Sequence, residues 1–96
     1  MFIVNIDYLQ PLDVVDQYLK AHRDFLSIGY ERNFLMASGP KQPRTGGIIL
    51  SQLTSREQLE NFLKDDPFVI HKIINYEIIE FNPVKCHPIF AAFIES

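Results

Sequence analysis

Hydrophobic and polar residues alternate at the start of the chain, where Phe2, Val4, Ile6 and Tyr8 share one face and the residues between them share the other. A period of two residues is typical of a β-strand whose two faces have different surroundings. The pattern predicts a first strand over residues 2–8.

The apolar spacing then changes to that of a helix. One continuous stripe recurs every three or four residues. It consists of Val15, Tyr18, Leu19, His22, Phe25 and Leu26. Pro11 suits the helix start because its missing N–H would have no partner there, and Asp13 is favourable near the positive end of the helix dipole. Gly29 is a natural stop, so the first helix is predicted to end there.

Two strands are predicted to follow as a hairpin. Residues 33–38 read as the second strand, with Ser38 on the same face as Met36. The glycine- and proline-bearing segment 41–47 reads as a connecting loop. Ile48 then opens the third strand.

Helix-start signals mark the second half of the chain. Thr54 with Glu57 three residues later resembles a capping box for a second helix, and Asp66 before a proline is suited to cap a short third one. Residues 76–81 read as the last strand. The stretch 82–96 remains ambiguous between an edge strand and an arm that docks on a partner.

The order strand, helix, strand, strand, helix, strand predicts an α+β fold of the ferredoxin-like βαββαβ type, with both helices on one face of an antiparallel sheet. At 96 residues the chain is expected to form one domain, with a core over residues 1–81. Its strands carry large apolar residues at consecutive positions, which point to opposite faces of the sheet, whereas a solvated face should be mainly polar. The pairs are Ile3 and Val4, Leu35 and Met36, and Ile48 and Ile49. A homodimer that covers the second face is therefore predicted.

The charge and the cysteine content limit the classes of partner and the cellular compartment that fit this sequence. The net charge is −3, the pI is near 5.5 and the nine Lys and Arg are scattered, which argues against a nucleic-acid partner. The first residues have no basic leader and no span of membrane length, so a cytoplasmic protein without a membrane partner is expected. Cys86 is the single cysteine, so no internal disulfide can form, which suits a reducing compartment.

His22 is the most informative polar residue, because it occupies a position in the first helix where the stripe predicts Leu or Val. One interpretation is a core histidine bonded to a backbone carbonyl. The other is a neutral imidazole that serves as general base or acid, which needs an orienting carboxylate. Asp66 supplies one if its loop folds back toward the first helix, although it is also explained as a helix cap. Asp7 is a weaker competitor.

Other polar residues are candidates for ligand contacts. Ser38 and Gly39 stand at a strand end where a ligand can approach, although turn chemistry explains them about as well. Arg44 can hold an anionic substrate or be simply solvated, and His71 is a further candidate for substrate binding. The sequence lacks metal-ligand spacing, a phosphate-binding glycine loop and a G-x-S-x-G elbow. Neither a metal nor a cofactor is therefore expected.

The order and spacing of these motifs resemble the YciI-like (YCII-related) family from residue 1 to about residue 81. The matching motifs are His22, Gly29, Ser38-Gly39-Pro40, Gly46-Gly47 and Asp66-Pro67-Phe68. The resemblance implies a dimeric α/β barrel similar in fold to muconolactone isomerase, a His–Asp pair at His22 and Asp66, and a pocket lined by Ser38 and Gly39. Some relatives are cofactor-free lyases or dehydrochlorinases that act on small aromatic acids. The sequence departs from the family pattern after Phe68.

Two functional hypotheses follow. In the first, the protein is a cofactor-independent lyase or isomerase in which His22 moves a proton on a small cyclic or aromatic acid, Asp66 fixes the tautomer of the imidazole, and Arg44 binds the carboxylate of the acid. In the second, the same pocket belongs to a non-catalytic ligand-binding or interaction module.

Overall fold

Four antiparallel strands form one sheet in the computed structural model, which describes residues 1–94. The strands are β1 (Phe2–Tyr8), β2 (Leu35–Pro40), β3 (Gly46–Ser51) and β4 (Ile74–Glu80), and their order in the sheet is β2-β3-β1-β4. β1 is central and pairs with both β3 and β4. This is the predicted ferredoxin-like α+β arrangement, which the structure confirms.

Three helices connect the strands: α1 (Leu12–Glu31), α2 (Arg56–Leu63) and α3 (Pro67–Ile70). The predicted cap of α2 is wrong by one residue, because the Ser55 hydroxyl, not that of Thr54, accepts the hydrogen bond from the Gln58 amide at 3.2 Å. Asp66 caps α3 as predicted and is followed by Pro67 at the first helical position.

The predicted stop at Gly29 is also wrong, because α1 continues to Glu31. The left-handed residue that ends the helix is Asn33 (φ 60°), and the Phe34 amide donates to the Gly29 carbonyl at 2.9 Å. Gly29 has a packing role. A Cβ at this position would lie 2.6 Å from the Phe62 ring and 2.8 Å from Leu35.

β2 covers Leu35–Pro40 instead of the predicted residues 33–38, and its side chains point to different faces of the sheet than predicted. A register irregularity between Leu35 and Ala37 changes the alternation, so Ser38 faces the helices together with Leu35 and not with Met36. The third strand begins earlier than predicted, at Gly46. A Cβ there would lie 1.8 Å from the Ile6 carbonyl oxygen of β1, so only glycine allows these backbones to approach.

The two faces of the sheet have different surroundings. The helix face is buried under α1, α2 and α3, and its fully covered side chains include Phe2, Val4 and Ile49. On the outer face, four apolar residues lie side by side across all four strands. They are Ala37, Leu50, Ile3 and Ile79, and are called the apolar row below.

The segment after β4 forms no strand within the described residues. It contains a short 3₁₀ helix over Pro88–Phe93 that the His87 side chain caps by accepting from the Ile89 amide at 3.2 Å. Val84 is 86% exposed. The predicted edge strand is therefore absent from residues 82–94, and the docking arm stays a prediction; the last two residues of the predicted extension, Glu95 and Ser96, lie outside the described residues.

Candidate functional site

α1 and the start of α3 bring a histidine and a carboxylate together across 44 residues of sequence. Nδ1 of His22 lies 2.9 Å from both carboxylate oxygens of Asp66. The residue exposures are 9% for His22 and 1% for Asp66. The contact is made because the α1 stripe turns His22 inward and because Asp66 is held at the N-terminus of α3.

Asp66 performs two tasks at once. Its Oδ1 accepts a hydrogen bond from the Phe68 amide at 2.9 Å, which is the helix cap, and the carboxylate also accepts from His22. In its ionised form the carboxylate can only accept hydrogen bonds, so both groups that bond to it must donate. Nδ1 of the imidazole then carries the hydrogen, which leaves the lone pair on Nε2.

Phe68 fixes the plane of the imidazole. Its ring stacks on His22 with a centroid separation of 4.0 Å and an interplanar angle of 8°. The ring therefore has a carboxylate at Nδ1 and an aromatic ring against one face. Such an arrangement holds a base in a single orientation before any ligand arrives.

His22 borders a cavity of about 340 Å³ between α1, the sheet and α3, a volume near the lower end of the range for small-molecule sites. The walls are mostly apolar. The apolar lining includes Ile6, Leu19, Leu26, Ile49 and Phe68, and the polar side chains that reach the cavity are those of His22, Arg23, Ser38 and Arg44, with Tyr8. An apolar cavity with a few polar groups is suited to a small ring compound.

The residue profile of the YCII-related domain matches residues 1–82. The chain belongs to the YCII-related family. Among solved structures, this YCII-related chain is similar to 5-chloro-2-hydroxyhydroquinone dehydrochlorinase from Burkholderia phenoliruptrix AC1100, in complex with 2,5-dihydroxybenzoquinone. The TM-score is 0.69 at 17% sequence identity, and the match covers 84% of this chain and 93% of the dehydrochlorinase. A likeness at this identity shows the fold. A search of curated proteins returns no significant match.

Three of the predicted ligand-contact residues line the cavity of this YCII-related domain: Ser38, Gly39 and Arg44. The Ser38 hydroxyl lies 2.7 Å from the hydroxyl of Tyr30 on α1. The Arg44 guanidinium donates to the Asp16 carboxylate, and this hydrogen bond raises the pKa of the guanidinium above its usual value.

His71 does not line the cavity. It is exposed at the end of α3, where its ring stacks on Tyr18 at 4.5 Å between centroids. Its predicted role in substrate binding receives no support from this position. Its ring packs instead against Tyr18 of α1.

Sequence reasoning missed Arg23, Tyr8 and Tyr30. Arg23 follows Leu19 by one helical turn, so the spacing on α1 already placed it beside the stripe. The alternation in the first strand placed Tyr8 on one face of the sheet but gave no sign that a cavity lies at the end of that strand. Tyr30 had no signal, because it lies beyond the predicted end of the helix.

Within residues 1–94, no group of three His, Cys, Asp or Glu side chains is placed to hold a metal ion. Cys86 is a free, exposed thiol. In the same part of the chain, no helix is both long and apolar enough to cross a bilayer.

Proposed function

We propose that this YCII-related domain is a cofactor-independent enzyme that moves a proton on a small cyclic or aromatic acid, with lyase- or isomerase-like chemistry. The observation that carries the proposal is the His22–Asp66 pair, in which Nδ1 is held at 2.9 Å by a buried carboxylate while the imidazole borders the cavity. A general base needs this combination of a fixed tautomer and access to the ligand.

The proposed step begins with His22 as a neutral base. Nε2 takes a proton from a C–H or O–H of the ligand, and the electron pair of that bond enters the conjugated system of the ligand. The imidazolium is stabilised by the Asp66 carboxylate. The proton then returns at another position, which gives an isomerase, or a leaving group departs with an electron pair, which gives a lyase.

The cavity supports the proposed ligand class. Its volume and apolar walls suit a single substituted ring. The similar dehydrochlorinase was solved with 2,5-dihydroxybenzoquinone, a ligand of that size and shape, on a chain of the same fold. Ser38, Gly39 and Arg44 are proposed to contact the bound ligand.

One observation favours a second candidate, a non-catalytic ligand-binding or interaction module. Asp66 already has a structural task, because it caps α3 through the Phe68 amide. The presence of a carboxylate beside His22 is therefore explained without catalysis. In this module the cavity would bind the same ligand class and release it unchanged.

Exchange of carbon-bound hydrogen with deuterium separates the two candidates, because it detects proton transfer even without net turnover. Hydroxylated benzoates and hydroquinones are incubated with the protein in D₂O and followed by ¹H NMR. General base catalysis contributes about 10²–10⁴-fold, so His22→Gln should lower the exchange rate by that factor. His71→Gln, which changes an exposed histidine outside the cavity, is the matched control.

Equal exchange rates in His22→Gln and the parent would contradict the enzyme. A ligand that binds and is recovered without deuterium would favour the module.

We further propose a homodimer in which the apolar row of one copy faces that of a second copy. The row spans all four strands, and its Ile79 is 42% exposed in the single chain. Covering exposed apolar surface of this kind is the usual driving force for two-fold association. A cytoplasmic location is proposed from the free, exposed thiol of Cys86, which persists in a reducing compartment.

A further inference from the structure

The charged side chains at the cavity are unbalanced. Two arginines, Arg23 and Arg44, line it, and among residues 1–94 no Asp or Glu does. Asp66 lies behind His22, where the imidazole separates it from the cavity. A ligand in this space therefore meets cationic groups, and the two arginines differ in what already binds them.

The charge of Arg44 is compensated within the protein. Its guanidinium forms an ion pair with Asp16, and it lies 5.9 Å from the centre of the Tyr8 ring. An anion that approaches Arg44 meets a cation and an anion together, whose fields largely cancel. To bind Arg44 directly, it would have to displace the carboxylate of Asp16.

Arg23 has no such partner among residues 1–94. No carboxylate lies within ion-pair distance of its guanidinium, and no described acceptor takes a hydrogen bond from it. The neighbouring Asp24 is paired with Lys20 at 2.9 Å, one turn earlier. Arg23 thus brings an uncompensated positive charge to the cavity, directly after His22 in α1.

We propose that Arg23 binds the anionic group of the ligand, and that Arg44, neutralised by Asp16, is a wall of the cavity. This inference rests on the proposed function for one premise, namely that the ligand is a small acid. It also predicts the ligand preference of the cavity: a ring that carries a carboxylate or phenolate should bind more tightly than a neutral ring of the same shape. The anionic group is held on the α1 side of the cavity, beside the base.

The test compares the binding of benzoate with that of benzamide, its uncharged counterpart of similar shape, by NMR chemical-shift titration. The parent should bind benzoate more tightly. Arg23→Gln should weaken the binding of benzoate by about tenfold and leave the binding of benzamide unchanged. The reason is that only the anionic probe forms a charge-assisted hydrogen bond with the guanidinium. Arg32→Gln, an identical charge change at the exposed end of α1, should leave both affinities unchanged.

Asp16→Asn distinguishes the two arginines. Because it releases Arg44 from its ion pair, benzoate binding should strengthen, by about two- to fivefold. If Arg23→Gln leaves benzoate binding unchanged while Arg44→Gln weakens it, Arg44 is the anion-binding residue and the inference is overturned. The inference is also overturned if the parent shows no preference between the two probes.

These outcomes are independent of catalysis. His22→Gln should abolish hydrogen exchange and keep the preference for benzoate if both proposals hold. A preference for benzoate without exchange in the parent would contradict the enzyme alone, and exchange without the preference would contradict the assignment of Arg23 alone.

Discussion

The helix face of the sheet and the apolar row on its outer face both carry large apolar side chains, but within residues 1–94 only the helix face is covered by helices. Phe2 and Val4 on the helix face are fully buried, whereas Ile79 on the outer face is 42% exposed. The two amphipathic helices lie on the same side of the sheet, so neither of them covers the apolar row. Substitutions on the helix face should therefore affect folding, and substitutions in the apolar row should affect association.

Leu50→Glu, in the middle of the apolar row, should have the largest effect and should act on association. An unpaired charge buried in a dimer interface costs several kcal/mol, which is more than about a hundredfold in the dissociation constant of the dimer. Light scattering at micromolar concentration should show a dimer for the parent and a monomer for the variant. Asn75→Glu, on the polar end of the same face, is the control. A parent that is already monomeric would contradict the dimer.

Asp66→Ala should have the largest effect on the folding of the single chain. It removes the cap of α3, worth about 1 kcal/mol, and leaves the buried Nδ1 of His22 without a partner, which costs about 1–3 kcal/mol. Denaturant unfolding should show a loss of about 2–4 kcal/mol in the free energy of unfolding. Asp65→Ala, at the exposed neighbouring position, should change it by less than about 0.5 kcal/mol. Equal losses in the two variants would show that the pair contributes nothing to stability.

Gly29→Ala tests the close packing of α1 on the helix face. The added methyl would overlap the Phe62 ring, which Phe25 and Phe34 hold in place, and overpacking costs about 1–3 kcal/mol. Alanine has a higher helix propensity than glycine, which offsets up to about 1 kcal/mol of this cost. The net decrease in the free energy of unfolding should therefore be about 1–2 kcal/mol.

Gly39→Ala is the matched control for that variant, because a Cβ there meets nothing within 4 Å. Its free energy of unfolding should stay within about 0.5 kcal/mol of the parent. If Gly29→Ala is no less stable than Gly39→Ala, the packing role of Gly29 is wrong.

Tyr76→Phe should have the smallest effect, and only at high pH. Burial, and then the negative charge of Glu60, raise the pKa of Tyr76 above its usual value of 10.0. The unfolded chain therefore loses the phenol proton first, so the stability due to Tyr76 is complete below pH 10 and is lost as the pH rises through the raised pKa. Thermal unfolding of the parent and the variant should differ by a constant amount below pH 10, and above it the parent should lose stability relative to the variant.

Much of the site was predictable because α1 is a long, regular helix. Its stripe placed His22 on the inward face, and the Asp-Pro pair at 66–67 indicated a cap that the structure confirms. Two other details were not predictable. Ser38, a candidate from the sequence, faces the helices because of a register irregularity in β2, and His71 stacks on Tyr18 outside the cavity. Both depend on contacts with neighbouring elements, which local pattern does not record.

The order of the elements, the inward stripe of α1 and the large apolar residues on both sides of the sheet could be predicted from the sequence, because periodicity and helix caps depend on neighbouring residues in the chain. Three relations are visible only in the tertiary structure: Asp66 contacts His22, Asp16 forms an ion pair with Arg44, and Arg23 lines the cavity without an ion-pair partner among residues 1–94. These relations join residues from different elements, and their distances depend on how α1, the sheet and α3 pack together.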